Sequence, residues 1–172
     1  MEIRRFREND AAETAKVVAE TLKISNSRDY SPEYLKELQD THNAEVLIQR
    51  AKEGHSYVIC DGEKIIGTGS IAPFWGSPTE SILLTIFILP EYQGRGLGRK
   101  LIETLEQDEY ALRASRIEIP ASLTAVNFYR HLGYDYKNGI AEPEDGGAGG
   151  GGLPQTADGQ PFPEDRTVFP DE

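Results

Sequence analysis

Three glycines at alternate positions, Gly94, Gly96 and Gly98, sit among Arg95, Arg99 and Lys100, directly after the apolar run of residues 81–89. The order reads as a buried strand, a glycine-rich turn and the first turn of a helix. Backbone N–H groups at a helix start have no intrahelical partner, and without Cβ atoms in the way they form a cradle for an anion. Cations at the positive end of a helix are each disfavoured by roughly a few tenths of a kcal/mol. A bound polyanion reverses that sign, so the pattern points to a phosphate-bearing cofactor. The same residues would also suit an ordinary strand–turn–helix join in which the glycines only permit the turn.

Two other phosphate-binding turns fit less well. A dinucleotide turn needs Gly-x-Gly-x-x-Gly after the first strand, with an acid about twenty residues on. Here the final spacing is Gly96-x-Gly98, and the turn comes after several strands; Glu118 lies 20 residues past Gly98 but on a generic strand. A P-loop is excluded, because no Gly-Lys-Ser/Thr follows.

The elements around the turn can be read from periodicity and punctuation. Ile3–Arg7 reads as a strand. Asn9 or Asp10 caps a helix to about Leu22, with Ala12, Ala15, Ala19 and Leu22 on one stripe. Ser25–Ser31 is polar and turn-rich. Pro32 suits the first position of a helix capped by Ser31 and running to about Gln39. Asn43–Glu53 is a further helix, stopped by Gly54. Ser56–Cys60 and Lys64–Ile71 form a hairpin about Asp61-Gly62, with Gly67 and Gly69 marking a bulge or a close backbone approach. Pro73–Pro78 is a loop holding Trp75. Glu80–Leu89 reads as a central strand covered on both faces. Gly96–Gln107 is a helix, Arg116–Ile119 a strand ended by Pro120, and Leu123–Leu132 a helix capped by Ser122 and stopped by Gly133. Tyr134–Lys137 is one more strand.

Composition then changes. From Ala141 to Asp165, eleven of 25 residues are Gly or Pro, too few apolar groups to bury a core. Arg166–Phe169 recovers strand character. Residues 141–165 read as an acidic insertion within a hairpin formed by Tyr134–Lys137 and Arg166–Phe169, or as a linker to a disordered tail.

The chain of 172 residues carries a formal charge of −11. Residues 141–172 hold eight acids against Arg166, a net −7, which leaves −4 for the rest. That balance argues against nucleic-acid binding, which needs a basic face. No apolar run reaches the roughly 18–20 residues of a membrane span, and no membrane partner is expected. Cys60 is the only cysteine and the first residues show no apolar leader, so a cytoplasmic location is expected. The three histidines are scattered without metal-ligand spacing, so no metal is expected. His42 and His55 read as surface residues and His131 as a helix-face residue.

Gln93-Gly-Arg-Gly-Leu-Gly98, with its apolar strand and Pro90-Glu-Tyr92 before it, resembles the Gln/Arg-x-x-Gly-x-Gly/Ala acetyl-CoA signature of the GCN5-related N-acetyltransferases, the GNAT superfamily. Ala125-Val-Asn-Phe-Tyr-Arg-His-Leu-Gly-Tyr134 resembles that family's second signature, Ala-x-x-Phe-Tyr-x-x-x-Gly-Phe/Tyr. The likeness covers residues 1–140, which form the expected acetyltransferase domain, and leaves out 141–165 and the final strand and tail at 166–172.

The resemblance implies an α/β (α+β) fold. Its sheet would be mixed and mostly antiparallel, splayed open between the fourth and fifth strands, with helices on both faces. The pantetheine arm of acetyl-CoA would pair with the backbone of Phe87, Ile88 and Leu89. Further cofactor contacts would come from Gln93, Gly94, Arg95, Gly96, Leu97, Gly98 and Arg99, and from Ser122 and Tyr129. Many relatives have Asn where Ser122 stands, which puts that contact in doubt.

Acetyl transfer needs a neutral amine, a donor for the oxyanion and a proton for the departing thiolate. By resemblance Tyr129 holds the general-acid position; its other reading is an aromatic core residue. Glu80 starts the strand on which some relatives carry a catalytic glutamate; its other readings are a strand-end charge or a role taken over by water. The Ile88 N–H is the expected oxyanion donor. Asp29 and Tyr30 could hold the acceptor's ammonium group by charge and cation–π contact, with Trp75 nearby, or could form a plain helix-linking turn. The function expected is transfer of an acetyl group to a primary amine, small molecule or peptide, by direct attack in a ternary complex. A non-catalytic acyl-CoA sensor stays open as the alternative, as does a homodimer.

Overall fold

The computed structural model describes residues 1–25, 31–121, 123–136 and 165–170. They fall into two compact units: Met1–Ala72 with Leu84–Leu112, and Pro73–Leu83 with Arg113–Glu172.

In the first unit, β1 (Glu2–Arg5) pairs antiparallel with β2 (His55–Asp61), and β2 with β3 (Lys64–Pro73). The expected hairpin forms, but its turn lies one position later than Asp61-Gly62: Asp61 is paired with Lys64, which leaves Gly62 and Glu63 as the two-residue turn. Both readings of the strand glycines hold. The register shifts between Ile59 and Cys60, opposite Gly67. A Cβ on Gly67 would lie 3.1 Å from the Phe87 carbonyl oxygen of β4 (Glu80–Ile88). A Cβ on Gly69 would meet Leu101 and Leu105 of α4 (Leu97–Glu106) at 3.1 and 3.2 Å. The missing side chains thus let β4 and α4 close onto β3, which is buried from Ile65 through Ala72.

Three helices precede β2: α1 (Ala11–Ser25), α2 (Pro32–Asp40) and α3 (Ala44–Glu53). Ser31 Oγ accepts from the Tyr34 N–H at 3.2 Å and Asn43 Oδ1 from the Val46 N–H at 3.0 Å, so both expected caps form. At α1 the structure departs from the expectation. Asp10 is buried, and its carboxylate faces back along the chain. It accepts from the Arg4 guanidinium at 2.9 and 3.0 Å and from the Arg7 N–H at 2.7 Å. The helical path therefore starts earlier, in a 3₁₀ turn over Glu8–Asp10. The buried stripe is also offset: Ala11, Thr14, Val18 and Leu22 face inward, not the alanines at 12, 15 and 19. The Thr14 and Thr21 hydroxyls donate to the Asp10 and Val17 carbonyls at 2.8 Å each. Their polar atoms are thereby satisfied, and the larger Val and Leu side chains take the interior.

A short helix absent from the sequence reading, α5 (Glu109–Leu112), follows α4. Asp108 precedes it and organises a polar cluster. Its carboxylate accepts from Tyr57 Oη at 2.6 Å, from His55 Nδ1 at 2.9 Å and from the Tyr110 N–H at 2.9 Å. His55 is thus held in this cluster and is not a free surface residue. Burial pulls the Asp108 carboxyl up, but the bonds from Tyr57, Tyr110 and His55 prevail and hold it below the usual carboxylate range. Burial and the bond to Asp108 push the Tyr57 phenol up to about 12.

The Asp108 contribution is therefore present above the carboxyl's ordinary pKa and is lost as pH falls below it. Tyr57 contributes below pH 10, and that is lost as pH rises from 10 towards 12. Asp108→Asn is expected to destabilise by about 2 kcal/mol at pH 7, roughly 4–8 °C in melting temperature. The gap to the wild type should narrow below about pH 4. Thermal melts of both proteins across pH would check it, and a gap independent of pH would refute the linkage.

In the second unit, the start of β4 pairs parallel with β5 (Arg116–Ala121). Only Glu80–Ile82, three of the nine residues of β4, lie opposite β5. The pairing of the fourth strand with the fifth thus ends at Ile82. β5 continues through Pro120 to Ala121, two residues past the expected end, because its other neighbour β7 (Asp165–Pro170) holds it as far as Ala121. β7 lies between β5 and β6 (Asp135–Tyr136). The last strand is where the sequence placed it, but it runs parallel to β6, not as a hairpin partner. A parallel pair needs a crossover of a dozen or more residues, and residues 137–164 are ample. The Gly/Pro-rich part of that stretch lies outside the described residues.

Candidate active site

The glycine turn is built within the first unit. Pro90 opens a 3₁₀ turn over Pro90–Tyr92, and the Gln93 side chain donates to the Ile88 carbonyl at 2.8 Å. This ties the turn to the end of β4. Gly94 and Gly96 have φ of +79° and +78°, the left-handed region that other L-residues avoid. α4 starts at Leu97, and its first bond is Lys100 N–H to the Gly96 carbonyl at 3.2 Å. The N–H groups of Leu97, Gly98 and Arg99 precede that bond and face out of the helix end. A Cβ on Gly94 or Gly96 would find nothing within 4 Å, so the space before the helix is open.

The buried side of α4, Leu97, Leu101, Ile102 and Leu105, fixes the helix in place. Arg95 is turned aside: it donates to the Glu91 carbonyl at 3.1 Å and lies 5.0 Å over the Tyr92 ring. Arg99 and Lys100 are exposed. An open cradle of orphan donors between left-handed glycines fits a diphosphate.

β4 is not covered on both faces. Burial alternates through Thr85, after which Ile86, Phe87 and Ile88 all stay half-exposed. Thr85 marks the break, with φ of +56°, an outlier for a β-branched residue. Its buried hydroxyl accepts a hydrogen bond from Arg50 of α3. Phe87 meets the His42 ring edge-on at 5.7 Å.

In the second unit, Tyr129 lies on α6 (Leu123–His131), 5% exposed. Its position follows from the helix end. Gly133 has φ of +104°, and the Tyr134 and Gly133 N–H groups donate to the Tyr129 and Arg130 carbonyls at 3.1 Å each. This is a Schellman stop, and it brings the Tyr134 ring edge-on to Tyr129 at 6.5 Å. Phe128 flanks the other side at 5.2 Å. Burial pushes the Tyr129 phenol above its ordinary pKa, so it stays protonated and keeps a proton to donate.

Glu80 sits beside Arg116, 3.5 Å from Nη1. Arg116 also pairs with Glu118 on its own strand and lies 5.9 Å over the Phe74 ring. Arg113 donates to the Ser77 and Glu80 carbonyls at 2.9 and 3.2 Å. Two arginines thus clamp the start of β4. Trp75, at the tip of the β3–β4 loop, is 91% exposed, with φ of +51°.

The structure therefore brings Phe87, Ile88, Leu89, Gln93, Gly94, Arg95, Gly96, Leu97, Gly98 and Arg99 together in the first unit. Glu80, Trp75 and Tyr129 belong to the second. Ser122, Asp29 and Tyr30 lie outside the described residues.

Four residues of these contacts were given no such role by the sequence reading. Arg50 stands three positions after buried Leu47, hence on the inner stripe of α3, which is a detectable sign. Arg116 and Glu118 alternate with Ile117 and Ile119, so both charges share one face of a strand in which Glu118 is only 1% exposed. The left-handed Thr85 leaves no sign in the sequence.

Residues 19–134 match the acetyltransferase (GNAT) family. An uncharacterized N-acetyltransferase of Archaeoglobus fulgidus is 29% identical over 153 residues, covering 87% of this chain and 99% of its own. Among solved structures, a PaiA N-acetyltransferase from Thermoplasma acidophilum in complex with coenzyme A superposes with a TM-score of 0.71. It is 19% identical and covers 80% of this chain and 91% of its own. A GNAT family acetyltransferase from Brucella melitensis in complex with acetyl-CoA gives 0.58 at 26% identity, covering 78% and 82%. With the cradle and the buried tyrosine in hand, the match over most of the chain is decisive: this protein belongs to the GNAT family of acetyltransferases.

Proposed function

We propose that the protein is an acetyl-CoA-dependent N-acetyltransferase that moves an acetyl group to a primary amine by direct attack, without a covalent enzyme intermediate. The observation that carries this reading is the open cradle at Leu97, Gly98 and Arg99, framed by left-handed Gly94 and Gly96. It is supported by the coenzyme A and acetyl-CoA held by the Thermoplasma and Brucella relatives. No helix among the described residues is long and apolar enough to cross a membrane.

Acetyl-CoA, when bound, supplies an acyl group activated as a thioester. The Leu97, Gly98 and Arg99 N–H groups hold its diphosphate, with Gln93 keeping the turn against β4. The backbone of Phe87 and Ile88 takes the pantetheine arm as a strand would, and the Ile88 N–H donates to the acyl oxygen. Leu89, expected to share this role, does not, because its N–H donates to the Ile66 carbonyl and its carbonyl accepts from the Tyr92 N–H, both at 2.9 Å. Glu80, held by Arg116, receives the proton that the amine must lose. Tyr129 delivers a proton to the leaving sulfur. A phenol kept neutral by burial suits that task at any physiological pH.

Acetyl-CoA is expected to raise the melting temperature. At a hundred times its Kd the stabilisation is about 2.7 kcal/mol, roughly 5–11 °C for a chain of this size. Absence of any shift at millimolar ligand would sink the reading. Release of free thiol with a panel of amines then tests transfer; binding with no turnover for any amine would favour a sensor on the same scaffold.

A further inference from the structure

We propose that Arg50 anchors a carboxylate carried by the acyl acceptor, so that the preferred substrates are amines that also bear an acid group. The inference rests on the acetyltransferase reading above and specifies its substrate class.

Arg50 points inward from α3, is half-buried, and donates to the hydroxyl of Thr85. Among the described residues no carboxylate lies within ion-pair distance of it. Burial is the leading influence on its guanidinium and acts against the charge; Glu53 on the same helix offsets this only through space. Desolvated charges in proteins are as a rule paired. Among the described residues, one neutral hydroxyl faces a group with five N–H donors.

The location says where the missing anion comes from. Thr85 is the residue at which β4 leaves extended geometry, and it stands three positions before Ile88. The diphosphate of the cofactor already has its donors at Leu97, Gly98 and Arg99. An anion arriving at Thr85 must then enter with the acceptor. A planar fork of donors matches a carboxylate. If Arg50 served only to steady the Thr85 hydroxyl, a neutral amide donor would do as well, and that difference can be tested.

The test is calorimetric titration of 6-aminohexanoate against 6-aminohexanamide, and of leucine against leucinamide. Each is run on the full chain with and without saturating acetyl-CoA. In at least one pair the acid should bind roughly ten- to a hundredfold more tightly than its amide. Arg50→Gln should bring that ratio close to one, and Arg50→Lys, which keeps the charge but not the fork, should lower it at least threefold. Should Arg50→Gln not fold, the lysine variant carries the decision. Equal binding of acid and amide, binding of neither, or a preference that survives substitution would each overturn the proposal. Failure of acetyl-CoA to bind in its own titration would count against the acetyltransferase reading alone, because the acid-to-amide ratio is also read without the cofactor.

Discussion

Gly96→Glu should weaken acetyl-CoA binding at least a hundredfold while leaving a folded protein. The two effects separate because of where Gly96 lies. Its φ of +78° means that any side chain adds backbone strain, roughly 1–2 kcal/mol. A Cβ there meets nothing within 4 Å, so no packing is lost. The melting temperature of the free protein should fall by roughly 2–8 °C. The glutamate would, however, project a negative charge from the residue that opens the cradle, where an anion must sit against the Leu97–Arg99 amides. Gly96→Ala carries the same backbone strain with a small, neutral group and should keep much of the cofactor-induced shift. A glutamate variant with an undiminished shift would mean that the diphosphate is held elsewhere.

Replacing Tyr129 by Phe should lower kcat by about a hundredfold, within the usual range for loss of a general acid. The dissociation constant for acetyl-CoA should change by less than about threefold, since only a hydroxyl is removed. Stability should barely move. The phenyl ring keeps its edge contacts with Phe128 and Tyr134, and no hydrogen bond to the hydroxyl is seen among the described residues. Burial raises the phenol's pKa, so the wild type should show no loss of rate from deprotonation of this group up to about pH 10. Unchanged turnover in the variant would remove Tyr129 from the chemistry and leave it as a core residue at a helix end.

The cradle could be read from the chain because everything that makes it is local. A strand, a proline-initiated turn, two left-handed glycines and a helix start all follow within Leu89–Lys100, and the free N–H groups are a property of any helix end. The Schellman stop at Gly133, which sets Tyr129 and Tyr134 side by side, is local in the same way. The caps at Ser31 and Asn43 are two more cases. Where several residues compete for one role, as Asn9 and Asp10 did, the local reading fell short. The carboxylate of Asp10 was claimed by Arg4 on the neighbouring strand.

Short-range chemistry along this chain was thus enough to establish helix starts, helix stops, a hairpin and a glycine turn opening a helix, since hydrogen bonds over a few residues are decided by residue type and spacing. Which charges are buried and with whom was decided by folding. Thr85 and Arg50 are 35 residues apart, His55 and Asp108 are 53 apart, and Arg116 meets Glu80 across a parallel strand pair. Desolvation of a side chain depends on segments that arrive from elsewhere in the chain, and strand order and direction choose those segments. The acid-selective site inferred at Arg50 exists only because α3 and the kink in β4 come together in the folded protein.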